Sequence, residues 1–193
     1  MTALQRQAFE AAGDALPRPH SNCYWLAAGK LLAGEYPAQG DPASCATRIA
    51  ALVDAGVRRF VDLTESSEPL VPYAPFVERV SGERGVALSH KRFAIRDFGV
   101  PTEAGMRAIL AALEGALDAP EVVYLHCRGG IGRTGTVAGC LLVDYGWTAD
   151  GALALIDRKW RAMAKATPVM RSPETDVQRE MILRWRKGSV TPP

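Results

Sequence analysis

The chain has 193 residues, 48% hydrophobic and 23% charged, with a formal net charge of +2, which suffices for one domain with a substantial core. Balanced charge and the absence of any basic block argue against a nucleic-acid or membrane-surface binder. No apolar run approaches the ~20 residues of a membrane-spanning helix, and Arg6, Glu10 and Asp14 interrupt the stretch where a secretory leader would be apolar.

A cytoplasmic protein is therefore expected. Its four cysteines, Cys23, Cys45, Cys127 and Cys140, lack C-x-x-C spacing, so free thiols are expected and a zinc site is not. The segment from Thr2 to Ala15 reads as a helix, ended by Pro17 and Pro19. Cys23 to Pro37 reads as a hairpin with Gly29 and Gly34 near its turns, an edge feature. Asp41 is placed to cap a helix with Pro42 at its first position; Ala46, Ile49, Ala50 and Val53 form the apolar stripe and Gly56 the stop. Arg58 to Thr64 follows as a short strand, and within it Asp62 is expected as a hydrogen-bonded structural group. Glu65 to Pro72, polar and holding two prolines, reads as a surface loop.

A weak helix over Tyr73 to Arg84 and a strand over Val86 to Ile95 come next. Thr102 starts a helix whose Met106, Leu110, Leu113 and Leu117 share one face, and this returns the chain to an apolar strand at Val122. Helices over Gly132 to Tyr145, Thr148 to Ala164 and Ser172 to Trp185 complete the chain, the last with Ser172 as its cap and Pro173 at its first position. Alternating strands and helices predict a single α/β domain with a central, mostly parallel sheet flanked by helices. One domain over residues 1–193 is expected, its core about 22–186 and its N-terminal helical extension 1–16. Trp25, Trp147, Trp160 and Trp185 are expected in the core, and His20 and His90 as surface or strand residues.

The most informative stretch is His126 to Thr136, H-C-R-G-G-I-G-R-T-G-T, between two apolar runs. Strand, tight loop and helix are implied. Gly129, Gly130 and Gly132 let the loop turn its N–H groups toward one point, and the helix starting near Arg133 aims its positive dipole end at the same point. An anion belongs there. Cys127 opens the loop; a thiol of pKa about 8.5 can fall to roughly 3.5–7.5 in such a field, so a thiolate nucleophile is expected. Arg133 closes the loop, and its planar fork can hold two phosphate oxygens side by side.

Displacing an alkoxide or phenoxide from phosphorus also needs a proton donor. Asp97 is the candidate, in the Gly- and Pro-punctuated Ile95-Arg96-Asp97-Phe98-Gly99-Val100-Pro101, where a mobile side chain can swing in. Tyr73 or Phe98 is a candidate wall for an aromatic substrate ring. The Lys91 and Arg92 pair reads as a solvated strand end.

H-C-x5-R-T resembles the signature of the cysteine-dependent protein tyrosine and dual-specificity phosphatases, and the loop spelling C-R-G-G-I-G-R-T is closest to kinase-associated-phosphatase-like members. Asp97 to Pro101 is similar to their D-x-x-x-P acid loop. The resemblance implies a tyrosine phosphatase-like fold, Asp97 as general acid, His126 as the residue orienting Cys127, and Thr134 as donor to the Cys127 sulfur. It further implies Gln178 as the residue placing the hydrolytic water, and phosphate held by Arg128, Gly129, Gly130, Ile131, Gly132 and Arg133. The expected substrate is a phosphorylated protein or peptide, phosphotyrosine first and phosphoserine or phosphothreonine second, cleaved by a monomer without metal or other cofactor. A phosphoinositide or inositol-polyphosphate phosphatase is the first alternative, although Gly130 and Ile131 stand where more basic residues are wanted. A sulfurtransferase or arsenate reductase and a non-catalytic phosphate-binding module complete the alternatives.

Overall fold

The fold is given by a computed structural model that describes residues 3–10, 15–38, 40–117 and 120–187. Its sheet has five strands, β1 (Cys23–Ala27), β2 (Leu31–Gly34), β3 (Val57–Asp62), β4 (Ser89–Arg92) and β5 (Val122–His126), in the order β1-β2-β5-β3-β4. β1 pairs antiparallel with β2, and every other neighbour pair is parallel. In register, Asp62 at the end of β3 stands beside both Arg92 of β4 and His126 of β5, while Gly34 of β2 flanks His126 on the other side. Four strands thus finish at one level, at their carboxyl ends, where open α/β sheets place their ligands.

Side-chain alternation splits the core in two. On β5, Val123 and Leu125 face one cluster with Leu26, Leu31, Val61, Ile109, Leu113 and Leu141. Val122 and Tyr124 face the other, with Trp25, Leu32, Ile49, Phe60 and Val77, as the two-residue period of a strand requires. Helices α2 (Pro42–Asp54) and α3 (Ala74–Arg84) cover the second face; α1 (Ala3–Glu10), α4 (Glu103–Leu117), α5 (Gly132–Asp144), α6 (Ala149–Trp160) and α7 (Asp176–Arg184) belong to the first. Every residue of α5 from Gly132 to Leu142 is buried, which marks it as the central helix, covered on all sides. All four tryptophans are buried.

Asp41 caps α2 by accepting from the Ala43 and Ser44 N–H groups, and Gly85 closes α3 in the left-handed conformation. The stripe of α2 runs through Cys45, Ile49, Leu52 and Val53, with Ala46 and Ala50 only half-buried. The strand expected over Val86 to Ile95 shortens to β4, because this polar edge continues as single hydrogen bonds from Phe93 N–H to Asp62 O and Ile95 N–H to Leu63 O. The hairpin places β1 at the sheet edge and β2 one strand inside it. Of the helix expected over Thr2 to Ala15, α1 is the described part; positions 2 and 11–14 lie outside the described residues.

The last helix corrects the sequence reading. It begins at Asp176, with Thr175 and Gln178 forming a reciprocal capping box, and Ser172 is instead buried, its hydroxyl donating to Ile131 O at 2.8 Å. T-D-V-Q carried the capping signature; tertiary contact with the loop before α5 decided between the two starts.

Candidate active site

Between β5 and α5 the chain makes a loop over residues 127–131. Gly130 has φ +71°, and a Cβ there would lie 2.3 Å from the carbonyl carbon of Gly34, so only glycine lets the loop rest on the end of β2. Tyr36 N–H, just past β2, donates to Arg128 O at 3.0 Å, and the Ile131 side chain anchors the loop in the core. The loop therefore curls inward, and Gly130 N–H donates to Cys127 Sγ at 3.2 Å. Cys127 is buried, Gly129 half-buried and Arg128 exposed. At the head of α5, Ile131 offers no side-chain cap, which leaves the first N–H groups of the helix to an anion.

Arg133 is buried in the first turn of α5. Its Nη1 donates to Glu68 Oε1 at 2.5 Å and to Ile95 O at 3.0 Å, and Nη2 donates to Glu68 Oε2 at 3.1 Å. Nη2 also lies 2.9 Å from Asp97 Oδ1. Nε is buried without a hydrogen-bond partner. The bidentate grip of Glu68 sets the plane of the guanidinium. Burial alone would raise the Glu68 carboxyl, but Arg133 overrides it and holds the group below the usual carboxylate range. The sequence reading missed Glu68: it sits in the polar Glu65 to Pro72 loop, and its partner is 65 positions away. No local pattern signals such a contact.

Asp97 stands against Arg133, half-buried on the loop after β4. That loop is tied down at several points. Asp97 N–H donates to Glu65 Oε2 at 3.3 Å, Thr175 Oγ1 to Phe98 O at 3.2 Å, and Gln178 Nε2 to Gly99 O at 3.2 Å. Phe98 has φ +58° and is 58% exposed, a conformation that costs a bulky L-residue about 1–3 kcal/mol. Gln178 is fully buried, and its Oε1 accepts from Thr175 N–H at 3.1 Å, so its amide is engaged at both ends.

Behind the loop lies a saturated polar wall. His126 is fully buried, with Nδ1 at 3.3 Å from Cys127 O and Nε2 at 2.6 Å from the Tyr73 hydroxyl. A carbonyl only accepts, so Nδ1 carries the proton and Tyr73 donates to Nε2. Burial lowers the His126 pKa to about 4, although Asp62 pulls the other way. Asp62 accepts from Thr64 N–H and Oγ1, His90 Nε2 and Arg92 Nε. Burial would raise its carboxyl, but the His90 hydrogen bond, the neighbouring His126 and the Thr64 donors hold it far below the usual range. It is a structural carboxylate. Tyr73, buried among these rings, is not a pocket wall; Phe98 alone of the two candidate rings is exposed. Arg92 is bound to Asp62 and Lys91 stands 4.9 Å over the Phe93 ring. Thr134 is fully buried, its hydroxyl without a partner.

The structure thus gathers Cys127 under the Gly130 N–H and Asp97 against the Arg133 guanidinium at the carboxyl end of the sheet. Among the described residues no group of three or more His, Cys, Asp or Glu side chains is arranged to hold a metal ion, and no helix is long and apolar enough to cross a membrane.

Residues 20–183 match the model of PTP-SAK, described as the Swiss Army Knife protein DSP-PTPase phosphatase domain. A protein of Invertebrate iridescent virus 3, 067L, named as a tyrosine phosphatase, is 33% identical over 128 residues, 61% of this chain and 44% of its own length; the chain thus spans less than half of that relative. A mutant form of Tk-PTP superposes with a TM-score of 0.59 at 26% identity, over 80% of this chain and 87% of that one. PTPMT1 in complex with PI(5)P superposes equally well, TM-score 0.59, at 17% identity over 81% and 90%, a likeness of fold.

Proposed function

The chain belongs to the PTP-SAK family of DSP-PTPase phosphatase domains, and we propose that this cysteine-based phosphatase hydrolyses phosphotyrosine in proteins or peptides ahead of phosphoserine and phosphothreonine. The observation that carries the choice is Phe98. Its ring is 58% exposed, held at positive φ, one residue from the carboxylate that pairs with Arg133. A strained, exposed aromatic beside the reacting centre suits an aromatic leaving group, which it can meet face or edge.

In the reaction, Cys127 attacks phosphorus in line while Arg133 Nε and Nη2 and the N–H groups of residues 128–133 hold the equatorial oxygens. The arriving phosphate competes with Asp97 for Arg133, whose other edge stays on Glu68. Asp97 is then free to turn to the leaving oxygen and protonate it. Water cleaves the cysteinyl-phosphate, and the Thr134 hydroxyl, buried without a partner, turns to donate to the departing sulfur. His126 acts through the Cys127 carbonyl that its Nδ1–H binds. Gln178, expected from the sequence to place the water, acts on the acid loop through Gly99 O. Arg128 adds positive charge at the rim.

The test is hydrolysis of phosphotyrosine, phosphoserine and phosphothreonine peptides and of soluble inositol phosphates by wild type, Cys127→Ser and Phe98→Ala. Phosphotyrosine should turn over fastest, Cys127→Ser should bind without turnover, and Phe98→Ala should raise KM for phosphotyrosine alone. Faster inositol phosphate hydrolysis would replace this substrate assignment with the phosphoinositide one.

A further inference from the structure

The cap of α7 has hydrogen-bonding capacity to spare, and both of its side chains direct it at one loop. Thr175 Oγ1 accepts from Gln178 N–H at 3.3 Å, and Gln178 Oε1 accepts from Thr175 N–H at 3.1 Å, the reciprocal pair that satisfies two free donors of a helix start. A hydroxyl that accepts still holds a proton, and an amide whose oxygen accepts still has its NH2. The proton goes to Phe98 O at 3.2 Å and the amide N–H to Gly99 O at 3.2 Å. Two consecutive carbonyls of the loop that carries Asp97 are thus gripped by one capping box. The box has a fixed seat: a Cβ on Gly132 would lie 2.8 Å from Gln178 Oε1 and 2.9 Å from its Nε2, so the amide rests on the first residue of α5.

The gripped segment is a turn. Gly99 N–H donates to Arg96 O at 2.9 Å, which puts Asp97 and Phe98 at the two central positions. Phe98 has φ +58°, a conformation that turns normally give to glycine or asparagine. Phe98 N–H in turn donates to Asp97 Oδ1 at 3.1 Å, the oxygen that lies 2.9 Å from Arg133 Nη2. One residue therefore joins the two sites: its N–H holds the Asp97 carboxyl group, and its C=O is held by Thr175.

We propose that Thr175 is a positioning residue for the first chemical step, acting through Phe98 to hold Asp97 where it can protonate the leaving oxygen. The proposal rests on the phosphatase reading above and adds to it the origin of the acid's placement. A strained turn persists only where its surroundings over-determine it, and a displacement of about 1 Å can cost on the order of 10²-fold in rate. Glu65 Oε2 restrains the same turn through Asp97 N–H at 3.3 Å, so removing the Thr175 bond loosens the turn without releasing it.

Substitution can separate the two duties of the hydroxyl. Thr175→Asp keeps a good helix cap but has no proton for Phe98 O; Thr175→Ser keeps both. The readout is kcat/KM for a phosphotyrosine peptide and for 4-nitrophenyl phosphate, whose leaving phenolate is the weaker base and needs a proton donor less. Thr175→Asp should lose on the order of 10-fold with the peptide and under about threefold with the nitrophenyl ester, while Thr175→Ser should stay near wild type with both. A thermal melt checks the cap of each variant, and because the two substrates are compared on one enzyme, a lowered midpoint would not disturb the comparison. In the Asp97→Ala background Thr175→Asp should cost nothing further, since residues that act through one group are not additive. Equal losses on the two substrates, or a full loss on top of that of Asp97→Ala, would show that Thr175 only caps α7 and overturn the inference. If Asp97→Ala itself loses equally on both substrates, the acid assignment fails and this inference with it; if Asp97→Ala discriminates between them and Thr175→Asp matches wild type, only this inference fails.

Discussion

The two sides of Cys127 are built on opposite plans. Behind it, Asp62, His126 and Tyr73 are at most 1% exposed and fully engaged with one another, with Thr64, His90 and Arg92, or with the Cys127 backbone. In front of it, Asp97 and Phe98 sit on a loop, part-exposed, one of them at positive φ, and Arg133 Nε and Thr134 Oγ1 lack partners. The rear wall gains stability by satisfying every buried polar group; the front keeps donors unspent for a ligand, as pre-organised sites do. Substitutions on the two sides should therefore fail in different assays.

Asp97→Ala sharpens this most. It should lower kcat on the order of 10²- to 10⁴-fold and leave the thermal midpoint near wild type, since the side chain is a half-exposed partner of Arg133; a large drop in midpoint would mean that the front, too, is structural. Glu68→Gln tests the boundary between the two plans. It leaves the buried Arg133 charge uncompensated on one edge, which should cost about 3–5 kcal/mol in denaturant unfolding together with activity. Unchanged stability would show that Asp97 alone suffices to hold the guanidinium.

The rear wall has the smaller signature, in pH. Burial holds His126 near pKa 4, below its unfolded value of about 6.5. Between those two values the unfolded chain carries the proton and the folded one does not, so stability rises with pH through that window, by about 1.4 kcal/mol per unit at most for one group. Below about pH 4 both states are protonated and the slope from this group ends. Unfolding free energies from pH 4.5 to 7 should show that slope, reduced in His126→Asn. Asp62 contributes in the same sense further down: its folded carboxyl is depressed, so its contribution is present above about pH 3.9 and is lost as pH falls through its folded value. An equal slope in His126→Asn would place the titration elsewhere.

How much of this is legible in the chain follows from distance along it. Cys127, Gly130 and Arg133 lie in one short stretch of loop and first helical turn, so their spacing alone implies the cradle. Asp97 was legible because Gly99 and Pro101 mark its segment as a loop between strand and helix. Glu68 was not, because it reads locally as an ordinary surface acid and meets Arg133 only across the fold. Ser172 misled for the same reason: S-P-E resembles a helix start until Ile131 O claims the hydroxyl and Thr175 with Gln178 forms the better cap.

The order of residues by itself determined the α/β class, the strand-loop-helix holding Cys127 and Arg133, and the loop that carries Asp97, because these depend on periodicity, glycine and neighbours in sequence. Only the tertiary structure decided which carboxylate grips the guanidinium and which ring faces solvent, because an ion pair or a burial is a relation between surfaces that meet only when the helices close on the sheet.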